Sequence, residues 1–231
     1  MFGSRLEVKR FEDRILAYES RPLEEETGKI LFYGHSLFTR CSWITQAGKD
    51  NPKLADEVRM KDGSLAIVNH GFGTSSADDL LYYYPRMVRP YKPRVLVLAT
   101  GGNDIGFGYS PEDIMQITAR LVDWAQADFP GIPIYIFGPG PALKYKGENN
   151  LATRKRAEYD QILEDYCRRK ENVHYVSMMN APFFYEKPED IGDKDKVRED
   201  IDIFAKDRGH LNPTGYAMFM DFVRELLDEY L

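Results

Sequence analysis

Five short apolar runs recur along the chain, separated by longer segments in which apolar residues recur at helical spacing. The apolar runs are residues 30–33, 65–68, 95–99, 132–137 and 173–176. Such runs between turn residues are typical of strands that are buried on both faces, as in a parallel sheet. The helical segments are residues 76–88, 110–129, 152–170 and 212–227. This alternation predicts a doubly wound α/β sheet with five parallel strands and helices on both faces.

The length and hydrophobic content of the chain fit one domain. It has 231 residues, of which 43% are hydrophobic, and single domains of this class often reach ~250 residues. We expect residues 1–231 to form one domain, with residues 1–28 as an N-terminal helical extension packed on it. The segment 178–206 is long, irregular and rich in charge and proline. A loop of that length in a compact domain is usually functional or mobile.

Charge and cysteine content argue against several classes of protein. The formal net charge is −6 without a basic stripe, so we expect no nucleic-acid partner. No apolar run approaches the ~18 residues of a membrane span, and the N-terminal stretch lacks the apolar core of a secretory signal. The two cysteines, Cys41 and Cys167, do not make a disulfide framework. We expect a reduced, cytoplasmic protein, and its oligomeric state stays open, a homo-oligomer included.

Glycine and small polar residues follow three of the predicted strands. They are residues 34–37 after the first strand, 69–75 after the second and 101–104 after the third. In an open parallel sheet these strand ends lie at one edge, where ligands bind near the point at which the strand order reverses. Glycine lets the backbone approach a ligand closely, with N–H groups directed at it. The sequence therefore predicts a binding site at this edge.

A serine, a histidine and an aspartate of this sequence are the side chains that a nucleophilic site requires. Ser36 follows the first strand, and Asp207 and His210 lie three residues apart on the loop before the last helix. A serine hydroxyl is a weak nucleophile at neutral pH unless a base takes its proton. The base works best when an acceptor holds its ring in one tautomer. We therefore predict Ser36 as nucleophile, His210 as base and Asp207 as the residue that orients it.

Four blocks of this sequence resemble those of the SGNH hydrolases, also called GDSL-type esterases and lipases. The blocks are residues 34–37, 71–74, 102–104 and 207–210, in the family's order. The resemblance implies a flavodoxin-like three-layer α/β/α sandwich. It also implies a serine esterase with a Ser-His-Asp triad and neither metal nor cofactor. The implied substrate is a small-molecule ester, such as an acetylated carbohydrate or a short-chain lipid ester.

The developing oxyanion of such a reaction needs fixed hydrogen-bond donors. The resemblance implies the N–H of Ser36, a backbone N–H of the second block and the side chain of Asn103. The family's glycine usually follows Gly73, where this chain has Thr74, so Gly73 and Thr74 both stay candidates. A backbone N–H serves whatever the side chain, but a positive φ at Thr74 would strain a β-branched residue.

Two further residues are candidates for contact with the substrate. His35 stands where the family usually has a structural aspartate, so the hydrogen bonds of this loop must be rearranged. Phe184 belongs to an aromatic cluster in the long segment before Asp207 and could form a wall of the pocket. A metal site at His35 and His70 lacks the converging ligands that zinc needs, so we expect no metal.

Two other classes of function stay open. The turn at residues 71–73 follows a strand and opens a helix, as in nucleotide-binding modules. However, Ser76 stands at the place of the third glycine, and the strand is the second one. A non-catalytic member that binds a ligand or a partner is suggested by His35, and Ser36→Ala would then leave its function intact.

Overall fold

The computed structural model describes residues 10–39, 58–141, 143, 151–193, 195–198 and 203–231. These residues contain a sheet with the strands β1 Ile30–Gly34, β2 Ile67–Asn69, β3 Val95–Ala99, β4 Ile134–Phe137 and β5 Val173–Val176. The strands are all parallel and lie in the order β2-β1-β3-β4-β5. This is the flavodoxin-like order. The predicted α/β fold with five parallel strands is confirmed.

Helices cover both faces of the sheet. Those in the described residues are α1 Glu12–Glu19, α2 Leu23–Glu26, α3 Ser36–Thr39, α4 Ala77–Met87, α5 Asp104–Phe107, α6 Pro111–Asp128, α7 Leu151–Arg168 and α8 Pro213–Leu226. Short 3-10 turns lie at Arg89–Tyr91, Pro182–Phe184, Pro188–Asp190 and Asp228–Tyr230. Helices α1, α4, α6 and α7 share one hydrophobic cluster, and α8 shares the other with the turn at Pro182–Phe184.

The strands divide their side chains between these two clusters. Ile30 and Phe32 of β1 join the cluster beneath α8, while Leu31 and Tyr33 join the cluster on the opposite face. Successive residues of a strand face opposite sides of the sheet, which explains this division. All residues of β1 and β3 are buried. Burial on both faces is what the unbroken apolar runs predict.

The helix starts follow local sequence signals. Ser76 caps α4, and Ser110 caps α6 with Pro111 as the first helical residue. Asn212 caps α8. These side chains accept hydrogen bonds from backbone N–H groups that the first helical turn leaves without partners. The predicted starts at Ser110 and Asn212 are confirmed.

Strand β2 is displaced from its predicted position at residues 65–68. It spans Ile67–Asn69, because Leu65 forms an isolated antiparallel bridge with Arg59 instead. The polar Asn69 extends the strand and pairs with Phe32 of β1. An apolar run therefore marks the strand, but the backbone pairing decides where it ends.

Strand β4 is shorter than the predicted run at residues 132–137. It begins at Ile134, since the N–H of Ile132 donates to the carbonyl of Phe129 in the turn that follows α6. The segment 178–206, predicted as irregular, contains the 3-10 turns at Pro182–Phe184 and Pro188–Asp190. Residues 194 and 199–202 of that segment lie outside the described residues.

The N-terminal segment packs on the domain through α1. Phe11, Ile15 and Tyr18, which the sequence places at helical spacing, are buried in the same cluster as α4. Residues 1–9 and Cys41 lie outside the described residues. The described Cys167 is a buried free thiol. None of the described helices has both the length and the apolar character needed to cross a membrane.

The strand order reverses between β1 and β3, since the chain passes from β1 to β2 on one side and then to β3 on the other. Gly34, the last residue of β1, pairs with Ala99, the last residue of β3. A Cβ atom on Gly34 would lie 2.8 Å from the carbonyl oxygen of Ala99, so this close approach requires glycine. The loops that leave β1 and β3 therefore meet at this switch point.

Candidate active site

The exit from β1 places Ser36 at the switch point, as the first residue of α3. Its Oγ lies 3.0 Å from Nε2 of His210, which is 174 residues away in the chain. Nδ1 of the same ring lies 2.6 Å from Oδ2 of Asp207. The structure thus brings the three predicted residues together in one hydrogen-bonded relay.

A short loop holds Asp207 and His210 in position. Phe204 and Leu211 close it with an antiparallel bridge. Inside the loop, Oδ1 of Asp207 accepts the backbone N–H groups of Gly209 and His210, both at 3.0 Å. One carboxylate oxygen therefore fixes the loop, while the other accepts from the imidazole.

The charge of Asp207 sets the tautomer of His210. Partial burial raises the pKa of Asp207, but hydrogen bonds from the Gly209 N–H and from His210 outweigh this and lower the pKa to about 2. The carboxylate is therefore ionised at neutral pH and can only accept hydrogen bonds. The ring proton of neutral His210 must then lie on Nδ1, which leaves Nε2 to accept from the hydroxyl of Ser36. This is the form that a general base needs.

A cavity of about 230 Å³ opens beside this relay. Its polar side includes Ser36, His35, Asn103 and His210. The larger side chains on its apolar side are Leu37, Phe107, Met178, Phe184, Phe204, Leu211 and Tyr216. The predicted wall residue Phe184 is thus placed at the cavity. The volume lies below the ~300–1,000 Å³ of pockets for drug-sized ligands, so the cavity suits a small group.

The candidate oxyanion donors divide into two sets. Ser36 and Asn103 line the cavity, whereas Gly73 and Thr74 are not among its lining residues. Asn103 joins the cavity to the turn that contains Gly73 and Thr74. Its Nδ2 donates to the carbonyl of Ser75, the next residue of that turn, at 3.0 Å. A primary amide has two N–H groups, so this bond leaves a second donor on Asn103.

Thr74 has the positive φ that would strain a β-branched residue. Its φ is +67°, in the left-handed region that disfavours side chains branched at Cβ. Gly73 is not among the residues with positive φ. The conformation that favours glycine therefore falls on Thr74, the position at which the family usually has one.

His35 accepts a hydrogen bond from the backbone of its own loop. Its Nδ1 accepts the N–H of Leu37 at 3.3 Å, and its Nε2 lies 2.7 Å from where a Cβ on Gly102 would stand. Burial, with the nearby charges of Arg156 and His210, lowers the pKa of His35 to about 3. His35 is therefore neutral, and because Nδ1 accepts, the ring proton lies on Nε2.

Asp104 and His70 hold neighbouring segments together and do not line the cavity. Oδ1 of Asp104 accepts the N–H of Ala77 at 2.7 Å, and burial raises the pKa of Asp104 to about 6. His70 is buried, with Nδ1 2.8 Å from the carbonyl of Met87 and Nε2 3.1 Å from Glu26. Within the described part of the chain, no three His, Cys, Asp or Glu side chains converge as metal ligands.

The glycine-rich turn at residues 71–73 packs against the protein. A Cβ on Gly71 would lie 2.7 Å from Cβ of Phe38, and the hydroxyl of Tyr18 donates to the carbonyl of Gly71. A phosphate cradle needs backbone N–H groups that face an open site. The packing at Gly71 therefore gives no support to a nucleotide-binding module.

Sequence reasoning missed part of the cavity wall. Residues 138–141 line the cavity, as does Arg156 of α7, whose Nη2 donates to the carbonyl of Gly140 at 2.6 Å. Residues 138–141 are all glycine or proline and follow β4 at the edge of the sheet where the cavity lies. This pattern in the sequence indicates that the segment could line the site. Arg156 and Phe107 carry no such signal, because both lie in helices.

Comparison with known proteins gives one family and several similar structures. The model of the GDSL-like Lipase/Acylhydrolase family matches residues 32–218. No curated protein matches the chain. A GDSL-like lipase from Bacteroides thetaiotaomicron is 16% identical with a TM-score of 0.67, over 96% of this chain and 98% of that one.

Two esterases, named for acetylated xylooligosaccharides and for acetyl xylan, are also similar in structure. A mutant of an acetyl-xylooligosaccharide esterase from a Geobacillus is 17% identical with a TM-score of 0.63, over 89% of this chain and 96% of that one. An acetyl xylan esterase is 18% identical with a TM-score of 0.60, over 86% and 99% of the two chains. At these identities the likeness shows the fold, whereas the family model covers most of the chain. The chain therefore belongs to the GDSL-like lipase and acylhydrolase family and is a carboxylic ester hydrolase.

Proposed function

We propose that the protein hydrolyses small acyl esters through an acyl-enzyme on Ser36. The observation that carries this proposal is the relay of 3.0 Å from Ser36 to His210 and 2.6 Å from His210 to Asp207. The neutral His210 has its acceptor nitrogen on the hydroxyl and its proton on the carboxylate side. A serine held in this way is activated for attack on a carbonyl carbon.

The reaction proceeds in two steps. Oγ of Ser36 attacks the ester carbonyl while its proton passes to Nε2 of His210, and the charge collects on the carbonyl oxygen. The intermediate collapses to the acyl-enzyme when the C–O bond to the alcohol breaks, and His210 returns the proton to the departing alcohol. A water molecule then gives a proton to Nε2 of His210 and attacks the carbonyl carbon of the acyl-enzyme. The bond between Oγ of Ser36 and the acyl carbon breaks, His210 returns the proton to Oγ, and the acid is released.

The oxyanion is held by three donors in this proposal. They are the backbone N–H of Ser36, the second N–H of Asn103, and a backbone N–H from the turn of Gly73 and Thr74. The left-handed φ of Thr74 supports Thr74 over Gly73 as the third donor. Fixed donors of this kind each lower the barrier by ~2.7–4 kcal/mol.

The substrate class follows from the size and lining of the cavity. About 230 Å³ accommodates a short acyl group with part of its alcohol. Phe184 supplies an apolar wall, and the Nε2–H of neutral His35 supplies a hydrogen-bond donor to the substrate. Acetylated carbohydrates and short-chain lipid esters both fit this description. The likeness to esterases of acetylated xylans supports the first of them.

Fluorophosphonate labelling tests the proposal, because this reagent reacts with activated serines. We expect intact mass spectrometry to show one adduct on the native protein, mapped to Ser36, and none on Ser36→Ala or His210→Ala. A panel of nitrophenyl esters from acetate to palmitate, with acetylated xylose, would then rank the acyl groups. If Ser36→Ala hydrolyses acetate esters as fast as the native protein, the chain acts in another way.

A cytoplasmic location and assembly into a homo-oligomer remain proposals. The mixed surface charge and the two cysteines are compatible with a reducing compartment. Fractionation of the host cell and light scattering of the purified chain would test the two statements separately.

A further inference from the structure

Arg10 connects the segment before α1 to the edge of the active site. Its Nη2 lies 2.9 Å from Oγ1 of Thr74 and 3.5 Å from the carbonyl oxygen of Thr74. The centre of the same guanidinium lies 5.9 Å from the ring centre of Phe107 and 4.8 Å from that of Phe11. Arg10 lies outside the residues 32–218 that match the family model. This contact is therefore supplied by a part of the chain that the family model does not cover.

The contact falls on a strained residue. Thr74 has a φ of +67°, a conformation that a β-branched side chain adopts only when its surroundings hold it. Arg10 donates to the side chain and to the carbonyl of this one residue, so it restrains both the rotamer and the peptide plane of Thr74. A glycine at this position would not need that support.

Arg10 also bridges the two elements that flank the proposed oxyanion site. Thr74 belongs to the turn before α4, and Phe107 ends α5 and lines the cavity. Two other bonds join the same elements, from Asn103 to the carbonyl of Ser75 and from the N–H of Ala77 to Asp104. Those two bonds are made at Ser75 and Ala77, whereas Arg10 bonds to Thr74.

Positive charge accumulates at the turn as a result. Nη1 of Arg14 lies 3.9 Å from where a Cβ on Gly73 would stand, so two guanidinium groups of the N-terminal segment border the turn. A backbone N–H that is held toward a developing oxyanion stabilises it more than it stabilises the neutral ester, so loss of such a restraint appears in kcat.

We propose that Arg10 is a positioning residue for ester hydrolysis, which holds the Thr74 turn so that its backbone N–H faces the oxyanion. The inference rests on the proposed function of Ser36. It gives the N-terminal segment a role in the reaction besides packing, and it explains how this chain tolerates threonine where the family usually has glycine.

Steady-state kinetics on nitrophenyl acetate test the proposal, with kcat expressed per site titrated by fluorophosphonate. Arg10→Ala should lower kcat about tenfold and leave KM within about twofold, because the lost contact acts on the transition state. Arg10→Lys keeps a charge and one donor, and should recover about a third of that loss on a logarithmic scale. Arg168→Ala, which removes an exposed ion pair with Glu164 at the far end of α7, is the matched control and should not change kcat.

The decisive comparison repeats Arg10→Ala in a Thr74→Gly background. Glycine needs no support at positive φ, so Arg10→Ala should then lower kcat by about twofold or less. An equal loss in both backgrounds, or no loss in the native background, overturns the role given to Arg10. Titration of active sites separates these results from misfolding. Failure of the native protein to label at Ser36 would instead overturn the proposed function itself.

Discussion

At Asp207 the two carboxylate oxygens have separate tasks. Oδ1 fixes the loop through two backbone N–H groups, and Oδ2 accepts from the imidazole of His210. The ionised carboxylate keeps the ring proton on Nδ1. The protonation state of one residue therefore decides whether Nε2 of His210 presents a lone pair or a proton to Ser36.

Asp207→Asn should preserve the loop and abolish most of the activity. The Asn oxygen can still accept the two backbone N–H groups, but its amide donates to the imidazole and favours the tautomer with the proton on Nε2. We expect kcat to fall about 10³–10⁴-fold, with an unchanged melting temperature. Asp221→Asn, which affects an exposed ion pair with Arg224, is the control. Nearly full activity in Asp207→Asn would contradict the tautomer argument.

His35→Asp restores the residue that the family usually has, and it should change the pH profile. The charge of His210 is one cause of the lowered pKa of His35, so the two groups interact. A carboxylate at position 35 would favour protonated His210 and raise the pKa of the base relative to the native protein.

Since His210 must be neutral to act as the proposed base, the acid limb of the kcat/KM profile should move to higher pH by about one unit. His35→Asn keeps an acceptor for the N–H of Leu37 without a charge, and its acid limb should stay in place. Superimposable profiles for His35→Asp and the native protein would show that the two side chains do not interact.

At the scale of elements, residues at the starts of helices and just after the ends of strands form much of the candidate site. The glycine-rich and polar residues that follow β1 and β3 predict where the site lies, because parallel strands end at a common edge. The sequence alone could not decide whether Gly73 or Thr74 is the better candidate for the oxyanion donor, since this depends on the φ angles of the turn. The sequence also could not predict that Arg156 and Phe107 line the cavity, because helical periodicity indicates that a side chain is buried but not which cavity it reaches.

Asp104, which joins α5 to the start of α4, should weaken the fold as pH rises. Burial raises its pKa from 3.8 to about 6, and its Oδ2 is buried without a hydrogen-bond partner among the described residues. The native state therefore holds the proton more tightly than the unfolded state. The stability from this group is present below pH ~4 and is lost as pH rises through about 6, by about 2–3 kcal/mol in total.

Asp104→Asn keeps an oxygen for the N–H of Ala77 and removes the titration. Urea unfolding at pH 4 should give similar free energies for this variant and the native protein, and at pH 8 the variant should be the more stable one. Asp221→Asn, an exposed carboxylate, provides the baseline. A constant difference between pH 4 and pH 8 would show that Asp104 does not titrate in this range.

At the scale of the whole molecule, the apolar runs predicted the sheet, and the order of the four blocks predicted the relay across 174 residues. Contacts made by the N-terminal segment could not be predicted, because nothing in the local sequence of Arg10 points to Thr74. We propose that this segment belongs to the single domain and does not unfold independently of it.

Ile15→Ala tests that statement. Ile15 is fully buried and its neighbour Leu16 is 52% exposed. Truncation of Ile15 should cost about 2–5 kcal/mol of unfolding free energy in one cooperative transition, and Leu16→Ala should cost less than about 0.5 kcal/mol. A separate early transition confined to the N-terminal segment would show instead that residues 1–28 fold apart from the domain.

Direct detection of the acyl-enzyme is the sharpest test of the proposed reaction at Ser36. The protein is mixed with nitrophenyl acetate, quenched in acid within the first turnover, digested and analysed by mass spectrometry. We expect a burst of nitrophenol and an acetyl group on the peptide that contains Ser36, with neither signal in Ser36→Ala. Steady hydrolysis without a burst, with no acetyl group on Ser36 and undiminished activity in Ser36→Ala, would contradict it.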